Sequence, residues 1–343
     1  MTTTATLKTT ATLKIISWNV NGIRARWPRL TEMLAQERPD VVCLQETRCP
    51  DHRFPRGRLS QLGYHSQHSP GRRRGGVAIL VRNDHHIVYR SSALDHHHDI
   101  AEGRWLEVTI GDVSIGSVYV PAGHTRDELD DASKLAFLGA VARQVHEEQA
   151  HPLLLVGDFN VAPTDADIYE PSWFEGSYLS GENERAELRE ILAEGELVDV
   201  YRELHPDERG FTCWDQRDGN YARDYGLRID LALASQSLAG HVRSCNVAHA
   251  YRQGHRPSNH APLQIELEGD LNGEWADADV GVEWVNANAG AELTDANAGA
   301  ERVNANAGAE LTDADAEQAQ TGLDDAEQCA RCLGATTAAS SGD

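Results

Sequence analysis

Short aliphatic runs that stop abruptly at polar residues recur along this chain and set its predicted elements. The clearest is Leu153-Leu154-Leu155-Val156, followed by Gly157-Asp158-Phe159-Asn160. Four aliphatic residues in a row read as a strand buried on both faces. Asp158 and Asn160 are two apart, so an extended chain would aim a carboxylate and a carboxamide to one side. Leu13–Val20 reads as a first strand and ends in Asn19-Val20-Asn21-Gly22, with the same spacing. Apolar positions at Ile23, Trp27, Leu30, Met33 and Leu34 predict a helix. Val41–Leu44 is a second buried strand that runs into Gln45-Glu46-Thr47. Strand, helix and strand in this succession make a βαβ-like opening.

Further on, Gly75–Val81 is another buried strand, preceded by Arg72-Arg73-Arg74. Trp105–Ile110 and Val113–Val120 read as a hairpin across Gly111-Asp112, and the second arm leads into Pro121-Ala122-Gly123 beside Tyr119. An amphipathic helix over Ala132–Glu147 precedes the central strand. Phe211–Trp214 lies near the end of the body, and Leu227–Ser235 reads as a strand with Asp230 inside it. A carboxylate in that company is paired or functional, because an isolated buried charge is costly. Pro257–Leu263 then sets His260 in a proline-bounded turn before a closing strand.

Composition divides the chain. From Asp270 onward there are 16 acidic and 2 basic residues, a net of −14, against 38 acidic and 29 basic before it. Val285–Ala296 recurs identically at Val303–Ala314, and the unit has almost no large apolar residues, so it is no solenoid repeat. The expected organisation is a short N-terminal extension over residues 1–13, one domain over 14–269 and a disordered acidic tail over 270–343. Six cysteines without close, even spacing make no disulfide framework, and no apolar run approaches a membrane span. A soluble, cytoplasmic, monomeric protein is expected. His96-His97-His98 and the Cys329/Cys332 pair are discounted as specific metal sites, since adjacent histidines do not share a face and the cysteines are half a zinc site.

Asn19, Glu46, Tyr119, Asp158, Asn160 and His260 stand at strand ends or turns, and Asp230 lies within a strand; the C-terminal ends of strands are where open α/β sheets bind ligands. No serine or cysteine is presented as a nucleophile. The set suits attack of water on a phosphodiester: a hard cation held by oxygen ligands, a carboxylate to deprotonate water, and a histidine held by a carboxylate against phosphoryl charge.

Ser17-Trp18-Asn19-Val20-Asn21-Gly22-Ile23-Arg24-Ala25, Leu44-Gln45-Glu46-Thr47, Gly76-Val77-Ala78, Tyr119-Val120-Pro121-Ala122-Gly123, Gly157-Asp158-Phe159-Asn160 and Leu227-Arg228-Ile229-Asp230 resemble the exonuclease III family of apurinic/apyrimidinic endonucleases. That family lies within the wider endonuclease/exonuclease/phosphatase superfamily. The resemblance runs from about Lys14 to Glu268 with every motif in order. It implies a four-layered α/β sandwich of two packed sheets flanked by helices. It also implies hydrolysis of the phosphodiester 5′ to abasic sites in duplex DNA, and action on blocked 3′ ends, with Mg2+ or alternatively Mn2+. By position it makes Tyr119, Asp158, Asn160, Asp230 and His260 catalytic. Asn19, Glu46, Asp158, Asn160, Asn259 and His260 are then the metal set, and Cys213, Leu227 and Ile229 line the abasic-sugar pocket. Arg24, Arg72, Arg73, Arg74 and Arg228 are the expected DNA contacts.

The chain departs from the family twice. Ser258-Asn259-His260 replaces Ser-Asp-His and loses a charge near the metal set, and Cys213 stands where an aromatic side chain is usual. A phosphoesterase acting on a non-DNA ester and a DNA-binding homologue weakened by Asn259 are the competing readings.

Overall fold

Side-chain parity within each apolar run determines how the layers assemble. The computed structural model describes residues 12–268 apart from 72–73, 86, 95–101, 124–130, 148–151 and 217–218. The acidic tail, its repeats, the Cys329/Cys332 pair, the triple histidine, and Arg72 and Arg73 lie outside the described residues.

With strands numbered in chain order, one six-stranded sheet contains β1 (Thr12–Asn19), β2 (Val41–Gln45), β3 (Tyr64–Ser69), β4 (Val77–Arg82), β13 (Val242–Val247) and β14 (Leu263–Glu268), in the order β13-β14-β1-β2-β4-β3. The other contains β5 (Ile87–Ser91), β6 (Trp105–Ile110), β7 (Val113–Tyr119), β8 (Leu153–Asp158), β9 (Leu197–Asp199) and β12 (Asp230–Ser235), in the order β5-β6-β7-β8-β12-β9. Both sheets are mixed. β1 and β2 pair in parallel, as the opening pattern predicts, and so do β7 and β8. Each parallel pair is linked through a helix, Trp27–Glu37 or Asp131–Glu147. The first of these carries Pro28 in its opening turn, where a missing N–H costs nothing, and ends at Arg38 in the left-handed region (φ 46), just before Pro39.

Alternate residues of every central strand go to opposite layers. Leu13, Ile15, Val41, Cys43, Val77 and Ile79 meet Val108, Ile115, Leu154, Val156, Ala232 and Ala234 between the sheets. Ile16, Trp18, Val42 and Leu44 face outward against Leu30, Met33 and Leu34 of the first helix. Leu153, Leu155, Leu231 and Leu233 pack on Phe137, Val141, Leu188 and Ile191 of the helices on the other side. The result is helix, sheet, sheet, helix. Burying each such Leu, Ile or Val contributes about 1.5–3 kcal/mol, and a one-residue slip in any central strand would exchange its two faces.

Two expectations change. The predicted strand Leu227–Ser235 is broken: β11 (Gly226–Leu227) pairs with β10 (Cys213–Trp214), and β12 starts only at Asp230. Arg228 and Ile229 form the step between them, because the Ile229 and Asp230 amides donate to Thr212 Oγ1 (3.2 and 3.1 Å) rather than to a strand. Four strands lie outside the predicted elements: β3, β5, β9 and β13, which are the edges of the two sheets. The described cysteines, Cys43, Cys49, Cys213 and Cys245, are free and buried. Among the described residues no helix is long and apolar enough to cross a membrane.

Candidate active site between the two sheets

The polar groups at the strand ends continue the inner faces of the sheets and so converge in the gap between them. Tyr119, Asp158 and Asp230 are register partners across β7, β8 and β12, which sends their side chains to one face. Asn19 ends β1 in the opposite sheet. Its Nδ2 donates to Glu46 Oε1 (2.9 Å) and to Asp158 Oδ2 (2.8 Å), so a single carboxamide spans the two sheets.

Asp158 and Asn160 do come together, by a different route from the two-residue alternation expected. Gly157, the penultimate residue of β8, sits at φ 147, where a Cβ would lie 1.9 Å from the Val118 carbonyl oxygen, and beyond Asp158 the chain turns through Asn160 in the left-handed region (φ 49). Asp158 Oδ1 accepts from the Asn160 amide (2.9 Å), closing a side-chain turn. The same device recurs twice. Asn19 Oδ1 accepts from the Asn21 amide (3.0 Å), and Ser258 Oγ accepts from the His260 amide (3.2 Å) while donating to the Asn19 carbonyl (2.7 Å). Asn160 is anchored further: its Nδ2 donates to the Val120 carbonyl (2.9 Å), and its own carbonyl accepts from the buried ammonium of Lys134 (2.7 Å).

His260 Nδ1 lies 2.7 Å from Asp230 Oδ2, and its Nε2 lies 3.8 Å from Asp158 Oδ2. A carboxylate only accepts, so Nδ1 carries a proton toward Asp230. Burial alone would favour neutral imidazole, yet the surrounding charges, that of Asp230 foremost, and its hydrogen bond raise the His260 pKa well above the ordinary value. Burial, with Asp230 and Glu46 nearby, pushes Asp158 up to about 7 against the opposing pull of His260. Glu46 goes the other way. Burial resists its ionisation, but Arg48, the Asn19 hydrogen bond and His260 hold it down to about 2. The centre therefore combines a carboxylate able to take up a proton near neutrality, a carboxylate held ionised beside Arg48 and an imidazole biased toward its charged form.

The ligand atoms of Asp158, Asp230 and His260 lie within 4.8 Å of one another; with His260 charged and its Nδ1 turned to Asp230, the carboxylate oxygens are the members of this cluster suited to a hard cation. Asn21 Oδ1 is buried without a hydrogen-bond partner. As oriented, Asn19 is a donor to both carboxylates. Asn259 Oδ1 accepts from Asn21 Nδ2 (2.7 Å), and its Nδ2 points to Cys213 Sγ (3.8 Å). Cys213, Leu227 and Ile229 are buried together with Ile168, Phe174 and Leu179, and Cys213 is paired through its backbone with His260. An apolar patch thus adjoins the imidazole.

Arg228 does not face a DNA groove. It is 1% exposed. Its Nε donates to Asp167 Oδ1 (2.6 Å), its Nη1 donates to Asp199 Oδ1 (3.0 Å), and its Nη2 lies 2.8 Å from Asp199 Oδ2. A guanidinium between two carboxylates under the sheet edge has no free donor fork for phosphate, so the DNA-contact expectation is corrected to a structural one. Arg24 is exposed and Arg74 half-buried. Sequence reasoning missed Arg48, which clamps Glu46 Oε2, and Lys134, Thr212 and the Thr47–His68 contact (3.0 Å) behind Glu46. Arg48 follows Glu46 by two positions and was within reach of the motif; a lysine inside an amphipathic helix gives no signal of burial.

Residues 16–260 match the Endonuclease/Exonuclease/phosphatase family. The chain is 30% identical over 269 residues to exodeoxyribonuclease III of Haemophilus influenzae, covering 75% of this chain and all of that protein. An AP endonuclease from Archaeoglobus fulgidus superposes with a TM-score of 0.69 at 32% identity, over 74% of this chain and 98% of that one. A 3′ phosphatase from Neisseria, solved bound to a product DNA hairpin, gives 0.70 at 32% identity, over 74% and 99%.

Proposed function

The chain belongs to the endonuclease/exonuclease/phosphatase family and is a DNA-repair nuclease, and we propose that its principal reaction is hydrolysis of the phosphodiester 5′ to an abasic site in duplex DNA, assisted by Mg2+. The observation that carries this reading is the bridge from Glu46 through Asn19 to Asp158, with His260 and Asp230 beside it. It gathers hydrolytic groups and candidate cation ligands in one buried centre.

The residues fit a hard divalent cation. Glu46 is ionised, Asp158 is a second carboxylate, and the buried Asn21 Oδ1 is an oxygen with no donor partner. Such ions take oxygen ligands. A cation held there supplies neutralisation of charge on the phosphoryl oxygens.

Asp158 orients the attacking water and accepts its proton. Asp230 fixes the His260 ring through Nδ1 and leaves Nε2 free to donate to a phosphoryl oxygen as charge builds on it. The water oxygen bonds to phosphorus as the bond to the 3′ oxygen breaks; the Tyr119 hydroxyl and Asn160 face the remaining oxygens and the leaving group, which takes up a proton to become the 3′-hydroxyl. The sugar without a base enters the apolar patch of Cys213, Leu227 and Ile229, while Arg24 and Arg74 hold flanking phosphates.

A labelled duplex with one abasic site tests the assignment. Incision on the 5′ side, leaving a 3′-hydroxyl and requiring Mg2+, is the expected result. Removal of a 3′-phosphate without incision, or hydrolysis of non-DNA phosphate esters only, would refute it.

A further inference from the structure

Glu46 occupies a backbone conformation that its side chain does not favour. Glu46 (φ 51) and Arg48 (φ 46) are both left-handed and flank Thr47, and this region is uncommon for residues other than Gly, Asn and Asp. The turn is held from behind. The Thr47 amide donates to the Gly76 carbonyl (2.9 Å), the Arg48 amide donates to the Gly75 carbonyl (3.1 Å), and Thr47 Oγ1 lies 3.0 Å from His68 Nε2. His68 has no exposed side-chain area. Its ring stacks on Phe54 at 4.0 Å, and Nδ1 lies 3.1 Å from Asp51 Oδ1.

The hydrogen-bond directions follow from these partners. Burial pushes His68 down to about 4, so the ring is neutral. The Asp51 carboxylate only accepts, so Nδ1 carries the proton and Nε2 is left as an acceptor. The Thr47 hydroxyl must then donate to it. Carboxylate, imidazole and hydroxyl in that order look like a nucleophilic relay. Thr47 is fully buried, however, and a Cβ on Gly76 would lie only 2.1 Å from its Oγ1, so no substrate can reach it. The hydroxyl is an anchor.

We propose that the Asp51–His68–Thr47 chain is a positioning device that fixes the left-handed turn and thereby aims the Glu46 carboxylate at its divalent cation. The inference rests on the metal-assisted reading of the site. Without the hydroxyl anchor the two peptide units around Thr47 can relax out of the left-handed region, and the Glu46 side chain turns away from Asn19. Groups that orient ligands in this way change metal affinity by about 10–100-fold.

The test is calorimetric titration of the full chain with Mn2+ alone, at a temperature where circular dichroism shows each protein folded. Thr47→Val and His68→Phe remove the bond from opposite ends at nearly constant volume, and Thr47→Ser keeps it. Both of the first two are expected to weaken Mn2+ binding at least ~10-fold, with Thr47→Ser close to the parent. A purely structural role would lower the melting temperature and leave the Mn2+ affinity unchanged, which would overturn the proposal. Equal loss in Thr47→Ser would overturn it too, since the hydroxyl would then be irrelevant. Absence of Mn2+ binding in the parent protein would instead remove the metal-assisted reading itself.

Discussion

Replacing Arg228 by Met distinguishes a structural cation from a DNA contact. Its guanidinium is 1% exposed and bridges Asp167, which is fully buried, and Asp199, whose side chain is 14% exposed. Burial would raise the Asp167 pKa, but the charge and hydrogen bond of Arg228, with Thr164 and Arg202, hold it below the usual carboxylate range. Removing one member of a buried pair costs about 3–5 kcal/mol, because the other charge stays behind. Here Asp167 keeps Arg202 (2.6 Å) and the Thr164 hydroxyl (2.8 Å), and Asp199 can reach water. The loss should therefore fall at the low end, about 3 kcal/mol. Urea unfolding at pH 7 reads it directly. The salt dependence of duplex binding, measured below the unfolding transition, gives the second coordinate. A lost phosphate contact would reduce the slope of log K against log [salt] by about 0.9, and the buried pair predicts no change. Unchanged stability together with a reduced slope would make Arg228 a DNA contact and not a structural cation.

Other outcomes follow from the same geometry. His68 takes a proton in the unfolded chain below its ordinary value of 6.5 but in the folded chain only near 4. Stability is therefore complete above pH 6.5 and declines as pH falls through that window, by up to about 3 kcal/mol; a His68→Asn variant should show a flatter profile, and parallel profiles would contradict the shift. Asn259→Asp keeps the acceptor for Asn21 and adds a charge beside the candidate cation ligands, so it should raise incision at low Mg2+ and change little at saturation; superimposable Mg2+ titrations would show that Asn259 only supports its loop. All fourteen described strands lie within residues 12–268, so a chain ending at residue 268 should remain folded and active, and loss of soluble protein would show that the acidic extension contributes to the body.

Much of this was legible because central strands and catalytic strand ends announce themselves. β1, β2, β4 and β8 are buried on both faces, and their aliphatic runs stop where Asn19, Glu46 and Asp158 begin. Edge strands have one partner and more solvent, so sequences such as Tyr64–Ser69 and Val242–Val247 mix polar and apolar residues without a run. Arg228 was misread because a charge within an apolar stretch looks the same whether it faces phosphate or a buried carboxylate. Its partners Asp167 and Asp199 come from distant turns that no local pattern connects. The left-handed turns at Asn21, Glu46 and Asn160 were equally hidden. A spacing of two implies a shared strand face, whereas in the molecule Asn19 and Asp158 reach the amides two residues on through side-chain turns.

Single-turnover incision of an abasic duplex by the parent protein and by Asp158→Asn, at saturating Mg2+, bears most directly on the hydrolytic centre between the sheets. Asparagine preserves the acceptor for the Asn160 amide but cannot take a proton from water. The expected rate is at least ~100-fold lower with duplex affinity retained, the scale of a lost general base. An incision rate equal to the parent's would contradict it.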